Sequence, residues 1–395
     1  MALKTVGLKK LVRHCLSTAA TLAVTSSLVQ AGPKIEFGDD AWLSIGAGLR
    51  TNVTFREDSA PDGSNATEFN VENIRLYLNG QITKNIGLTF NTERTGGILG
   101  RDTADADDVD VLDAIVRLEF SPTFNIWVGS LLTPADRIEM NGPFYGLSWN
   151  QFTVPLFASD QGGAAGEIGR DEGIVLWGSA NKFQYAFGLF DGLDGISNQS
   201  DEVLFATRLA YNFLNKEENP AYYTSSTYYG GLGNIFTVAL SYQSQSDGVG
   251  TATNSGDFSG FAVDFLSETV LSNDGVLTLE GEYKDFDSDF TGVDSAALAP
   301  NTANFALFDG DSYFFTAGYL LPGQTGAGKL QPYVRYTENN PSDADSSDLI
   351  ELGLNYVVSG HNARFNINYT SGDANLSGLP GNDVDSIVLG FQVQI

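Results

Sequence analysis

Hydrophobic and polar positions alternate with a period of two along almost the whole chain from residue 41 onwards. In the stretch AWLSIGAGL, Leu43, Ile45, Ala47 and Leu49 share one face, while Trp42, Ser44, Gly46 and Gly48, followed by Arg50, share the other. Ile74, Leu76 and Leu78 repeat the pattern against Asn73, Arg75, Tyr77 and Asn79. Ile387, Leu389, Phe391, Val393 and Ile395 carry it to the last residue. Such alternation marks strands with one apolar and one wetted face. It predicts about sixteen strands. In the first half they fall near 41–55, 69–83, 86–95, 108–120, 124–132, 172–179, 182–190 and 201–214. In the second half they fall near 233–245, 257–268, 275–287, 310–321, 329–338, 347–358, 361–371 and 384–395. Each is about ten residues or a little longer, which is the length of a tilted strand that crosses a bilayer.

The connections sort by parity. After odd strands they are long and polar, as in REDSAPDGSNATE, TGGILGRDTADAD and QSDGVGTATNSGD. After even strands they are mostly tight, as at Lys84-Asn85, Ala180-Asn181 and Gly360, with the segment 215–232 as the exception. Long loops at one end and short turns at the other are the layout of an outer-membrane barrel, and a soluble sandwich has no reason to adopt it. An open sheet in lipid leaves backbone groups unpaired at several kcal/mol each, so the sheet must close. The predicted fold is therefore all-β, a transmembrane antiparallel β-barrel of about sixteen strands. No apolar run of about 18 residues follows residue 31, so no transmembrane helix is expected. Tyr222, Tyr223, Tyr228, Tyr229, Phe314 and Phe315 are candidates for an aromatic girdle at the headgroups, with ordinary strand packing as the alternative.

Residues 1–31 do not fit this pattern. Lys4, Lys9, Lys10 and Arg13 precede the uncharged run LSTAATLAVTSSL and then Val29-Gln30-Ala31, which reads as a signal peptide cut after Ala31. The expected organisation is a signal at 1–31 and one barrel domain at 32–395. Removing the segment takes away four of 21 basic residues and none of 49 acidic ones, leaving 17 against 49, a formal charge of −32. The only cysteine, Cys15, leaves with it, so no disulfide or thiolate-bound metal is expected. So acidic a chain also argues against nucleic-acid binding.

Projected onto the strand faces, Arg50, Arg75, Arg117, Arg208, Arg335 and Arg364 fall opposite the lipid side. Asp113, Glu119, Glu280, Glu282, Lys284 and Glu351 share that face. A lipid-facing Arg costs about 2–4 kcal/mol at the midplane, so these side chains belong in the lumen. They form either an anion-attracting wall or a set of cations that neutralise neighbouring carboxylates. The longest connection, 133–171, is unusually apolar for an exposed loop. Folding it into the barrel would bury Met140, Phe144, Tyr145, Trp149 and Phe152 and constrict the pore. Asp136, Arg137 and Glu139 then become constriction residues or the polar edge of a short helix; the alternative is an external loop packed on its neighbours. The acidic runs 102–110 and 341–348 lack the Gly and Glu of a calcium loop. They are read as solvated carboxylates that share divalent ions with anionic surface lipid such as lipopolysaccharide.

Catalytic patterns are missing. After processing only His361 remains, in a predicted tight periplasmic turn, and no GxSxG, HExxH or GxxxxGK[ST] occurs. Glu280 and Glu282 are neighbours on one strand face, as expected of a pore wall. The expectation is a protein that is not an enzyme and needs no cofactor.

Three stretches, NIRLYLNGQITKNIGLTFNTE (73–93), FNIWVGSLLTPADRIEMNG (124–142) and NPAYYTSSTYYGGLGNIFTVALSYQ (219–243), resemble the phosphate-selective porin O/P family of outer-membrane channels. The resemblance spans most of the mature chain. It implies a sixteen-stranded, trimeric channel whose constriction is the loop after the fifth strand. With only six lysines after processing, and Arg137 and Arg170 against five acids in 133–171, phosphate selectivity does not carry over. The reading is passive diffusion of small hydrophilic solutes, anions favoured. Alternatives are a general or cation-preferring channel, a structural barrel blocked by its loop, and an outer-membrane enzyme.

Overall fold

The computed structural model describes residues 32–94, 109–161, 165–291 and 303–395. The predicted signal at 1–31 and most of the acidic run 102–110 lie outside the described residues. A short strand, β1 (Lys34–Glu36), is followed by sixteen long ones. The first eight are β2 (Trp42–Arg56), β3 (Ala66–Thr83), β4 (Ile86–Arg94), β5 (Val109–Ser121), β6 (Phe124–Leu132), β7 (Arg170–Ala180), β8 (Phe183–Phe190) and β9 (Leu204–Asn212). The rest are β10 (Ile235–Thr251), β11 (Asn254–Val270), β12 (Val276–Ser288), β13 (Gly310–Leu320), β14 (Lys329–Pro341), β15 (Ser347–Ser359), β16 (Ala363–Gly372) and β17 (Ser386–Gln394). From β2 each strand runs antiparallel to the next. β17 returns to pair with β2, Ser386 opposite Arg56 and Gln394 opposite Gly48. The sheet is a closed sixteen-stranded barrel with no free edge, as a bilayer requires. β1 lies antiparallel along the start of β2, Lys34 opposite Ser44.

The alternation read from the sequence is the alternation of the wall. Ile45, Leu49 and Phe55 on β2, Leu76 on β3 and Val116 on β5 are exposed outward, whereas Ser44, Arg50, Asn52 and Thr54 are buried inward. Two connections depart from expectation. The stretch 245–257, expected as a long loop, is mostly strand: β10 and β11 continue through it to pair Thr251 with Asn254, with a register shift after Gln245. Extension beyond the lipid band keeps backbone groups paired where polar side chains already face water.

The segment between β9 and β10 holds the second departure. Tyr222, Tyr223, Tyr228 and Tyr229 of residues 213–234 form no girdle. Tyr222 and Tyr228 are buried, and Tyr222 donates from its hydroxyl to the Leu132 carbonyl at 2.7 Å. Phe314 also points inward, its ring 4.5 Å from the Arg335 guanidinium, while Phe315 is the exposed neighbour. Tyrosine clusters in a non-strand segment have no fixed parity, so they follow whatever the loop packs against. The barrel interior is accordingly filled, with an aromatic group of Phe157, Phe258, Phe286 and Phe308 packed at ring separations of 4.6–6.4 Å.

Candidate functional site

Two segments meet inside the barrel: residues 133–161 with 165–169, from the end with the long connections, and residues 217–230, from the end with the short turns. The first leaves β6 at Leu132 and forms a one-turn helix, α1 (Arg137–Asn141). Asp136 caps it by accepting from the Glu139 amide at 3.0 Å, and Gly142 ends it at a positive φ of 62°. Every charged side chain of this turn finds a counter-ion on the wall. Arg137 donates twice to Glu217 at 2.8 Å and from Nε to Asp264 at 3.2 Å, while Arg208 holds Asp264 from the other side at 2.9 Å. Lys284 sits between Asp136 and Glu139, 2.6 Å from each, and also donates to the Pro155 carbonyl at 2.7 Å. Burying such charges is tolerable only because each is paired and hydrogen-bonded.

Farther along, the chain runs across β14–β17 and β2. Arg335 donates to the Asn150 carbonyl at 2.9 Å and lies 3.5 Å from Glu280. Glu351 accepts from the Trp149 amide at 3.2 Å and from Asn150 at 3.1 Å. Arg50 donates to the Trp149 carbonyl at 2.9 Å with its guanidinium 4.1 Å from the Trp149 ring; Arg364 donates to Gly146 and approaches the same ring at 5.8 Å. The Trp149 ring lies where a side chain on Gly390 would be, since a Cβ there would come within 2.6 Å of it. Thus Arg50, Arg208, Arg335, Arg364, Glu280, Glu282 and Glu351 are all on the inner face, and all are buried beneath the inward segments. Asp136, Arg137, Glu139 and Trp149 are the buried loop side of the same contacts, with Tyr145 half-buried beside them.

The second segment is fastened as tightly. Glu268 accepts from the Thr227 hydroxyl at 2.6 Å and the Tyr228 amide at 2.9 Å, and Ser226 donates its amide to the Tyr145 carbonyl at 3.1 Å. His361, in the turn between β15 and β16, joins both segments: its ring nitrogens face the Phe144 carbonyl at 3.1 Å and the Thr227 carbonyl at 2.9 Å. Burial, and then the nearby Arg364, push its pKa down to about 4. Burial pushes the Asp160 carboxyl of the first segment up to about 6. Glu217, Asp264, Glu268 and His361 were not singled out by sequence reasoning as part of this interior. The signal for Asp264 and Glu268 was there, because both stand on the inner parity of β11.

A cavity of about 550 Å³ is left between these segments and the wall of β2–β7. Its lining includes Lys34, Arg75, Arg117 and Arg170 against Asp113 and Glu119, with Tyr77, Trp127, Met140, Tyr145 and Tyr223 between them. Arg75 pairs with Glu93, Arg170 with Asp113 at 2.9 Å, and Arg117 with Glu119 at 3.3 Å. Of the arginines predicted to line a pore, Arg75 and Arg117 face this cavity.

Several solved structures share the fold at low identity. An anion-selective porin from Comamonas acidovorans is 16% identical with a TM-score of 0.56, covering 90% of this chain and all of that one. OmpF of Salmonella typhi, in complex with daunomycin, is 12% identical at 0.58 and covers 92% of this chain and all of that one. OmpT of Vibrio cholerae in a trimer form is 13% identical at 0.53, covering 90% and 100%. Comparison with curated proteins finds no significant sequence match. The model of one family, phosphate-selective porin O and P, matches residues 45–395, the barrel from its first strand to its last residue, and the chain belongs to that family.

Proposed function

We propose that the protein passes small hydrophilic solutes by diffusion across the outer membrane, along the cavity beside β2–β7, and that it favours anions. The observation that carries the preference is the lining of that cavity, four basic side chains against two acidic ones. In a narrow, low-dielectric passage this local excess outweighs a distant net charge, because exposed loop carboxylates are screened within about 8–10 Å at physiological salt. The 133–169 segment acts as the constriction, and its neutralised anchors on the opposite wall hold it in place. The long connections face outward, among lipopolysaccharide, and the short turns face the periplasm, which the chain reaches through a signal cut after Ala31.

The outer surface supports assembly as a homotrimer. Outward tyrosines such as Tyr185, Tyr211, Tyr242, Tyr283, Tyr336 and Tyr356 stand on β8–β15, and β2–β7 carry none. Tyrosine is favoured where a wall meets headgroups, so the tyrosine-free outer face of β2–β7 suits contact with further copies. The test is the reversal potential of the purified protein in planar bilayers under a KCl gradient. Stepwise conductance with anion preference is expected. Cation preference would hand selectivity to the acidic loops, and insertion without steps would leave a structural barrel.

A further inference from the structure

The cavity beside β2–β7 is not built like a site for a small, fully hydrated anion. Arg75 and Arg170 are committed to Glu93 and Asp113, and Arg117 gives one terminal nitrogen to Glu119 and the other to the Gly80 carbonyl at 2.9 Å. Among the described residues, four buried polar side-chain atoms of this lining are left without a partner, three of them donors and one, Asn91 Oδ1, an acceptor. Arg117 Nε, the Tyr223 hydroxyl and the Tyr77 hydroxyl are buried donors in the lining that make no hydrogen bond. Tyr223, carried in by the 213–234 segment, shares the lining with Asp113, Arg170, Arg117 and Arg75, whose charges act on its hydroxyl. A buried donor without an acceptor is costly, and an oxygen-bearing ligand removes that cost.

The rest of the lining is apolar and aromatic. The Trp127 ring stands 6.0 Å from both the Arg117 guanidinium and the Tyr223 ring, with Met140 and Tyr145 across the same space. Phosphate, with four oxygens each seeking donors, meets here one guanidinium N–H and two phenols among ring faces that cannot replace its hydration. A carboxylate needs fewer donors, and a ring attached to it gains from the aromatic wall. A volume of about 550 Å³ is in the range of small-molecule sites.

We propose that this cavity is a binding site for ring-bearing monocarboxylates, the carboxylate taken by Arg117 Nε and the Tyr223 hydroxyl and the ring laid against Trp127. The assignment rests on the reading of the cavity as the diffusion path. It adds that solutes of this class pause there, while phosphate does not.

The test uses the full-length protein in detergent, titrated calorimetrically with benzoate, acetate and phosphate, and the same ions added to single channels in bilayers. Benzoate is expected to bind about tenfold tighter than acetate or phosphate, the difference a ring against aromatic walls supplies. Tyr223→Phe, isosteric and outside the strands, should weaken benzoate about tenfold, as loss of a hydrogen bond to a charged group does. Trp127→Leu should bring benzoate and acetate to the same affinity. Benzoate binding no tighter than acetate, or phosphate binding tighter than both, overturns the site. Conductance steps without benzoate preference remove the site and leave the channel. Benzoate binding without steps removes the channel and leaves the site.

Discussion

Arg137 is the side chain on which the two inward segments depend most. Its guanidinium is 1% exposed and carries two bonds to Glu217, one to Asp264 and one to the Ser225 carbonyl at 2.8 Å. Replacing it with alanine leaves the Glu217 carboxylate with the Tyr228 hydroxyl at 2.6 Å as its remaining side-chain donor. Asp264 keeps Arg208. Breaking one partner out of a buried, hydrogen-bonded ion pair costs about 3–5 kcal/mol, because the other charge stays buried. That cost cannot fall on the barrel, whose ladders are continuous and closed. It falls on the docking of 133–169 against 213–234, and it shifts the docked-to-released ratio by roughly two to three and a half powers of ten. Arg137→Ala should therefore assemble as a normal heat-modifiable barrel, lose hydrogen-exchange protection in both segments, and conduct more than the wild type. Arg137→Leu with Glu217→Leu removes both charges and should recover most of the protection, since an apolar pair of similar size is often neutral in such a place. Wild-type exchange and conductance in the single variant, or a double variant as labile as the single, would refute the reasoning.

Other expectations follow from the same contacts. Gly390→Ala places a methyl within 2.6 Å of the Trp149 ring. The overpacking, about 1–3 kcal/mol, should displace the loop, seen as a red-shifted tryptophan emission and larger conductance with the barrel intact. His361 should make segment docking acid-sensitive. Its imidazole resists protonation down to about 4 in the folded protein against an ordinary 6.5, so its contribution is full above pH 6.5 and falls as pH drops toward 4, by about 3 kcal/mol. Exchange protection measured across that window should lose its slope in His361→Gln, and an unchanged slope would exclude the histidine as its source. Asp113→Asn frees Arg170 and should move the reversal potential further toward anions, with Arg170→Gln moving it the other way.

The strands were legible because the bilayer imposes a rule on every second residue. Leu389 and Phe391 must meet lipid while Gly390 and Gln392 cannot, and no loop or partner can relax that. The same exclusion placed Arg50, Arg208 and Arg335 inward. It could not say what they touch. The pairing of Arg208 with Asp264 depends on the stagger of three strands, Arg208 opposite Ser241 and Asp264 opposite Ala239, which no single strand's sequence contains. Loop segments were harder still. The run from Tyr222 to Tyr229 has the composition of a headgroup belt, and its burial follows from its length and from Glu268 and Leu132 waiting on the inner wall.

Charge is the link between the two levels. Inward cations enter the sequence because lipid rejects them, but once two apolar segments fill the barrel those cations lose water and need carboxylates instead. Glu217, Asp264, Glu280 and Glu351 are among the acids that meet this need. Along β2–β7, where the segments stand off the wall, side chains such as Arg117 keep donors to spare beside an open cavity. On the proposed reading, selectivity is set by where the inward segments stop rather than by how many arginines the wall carries.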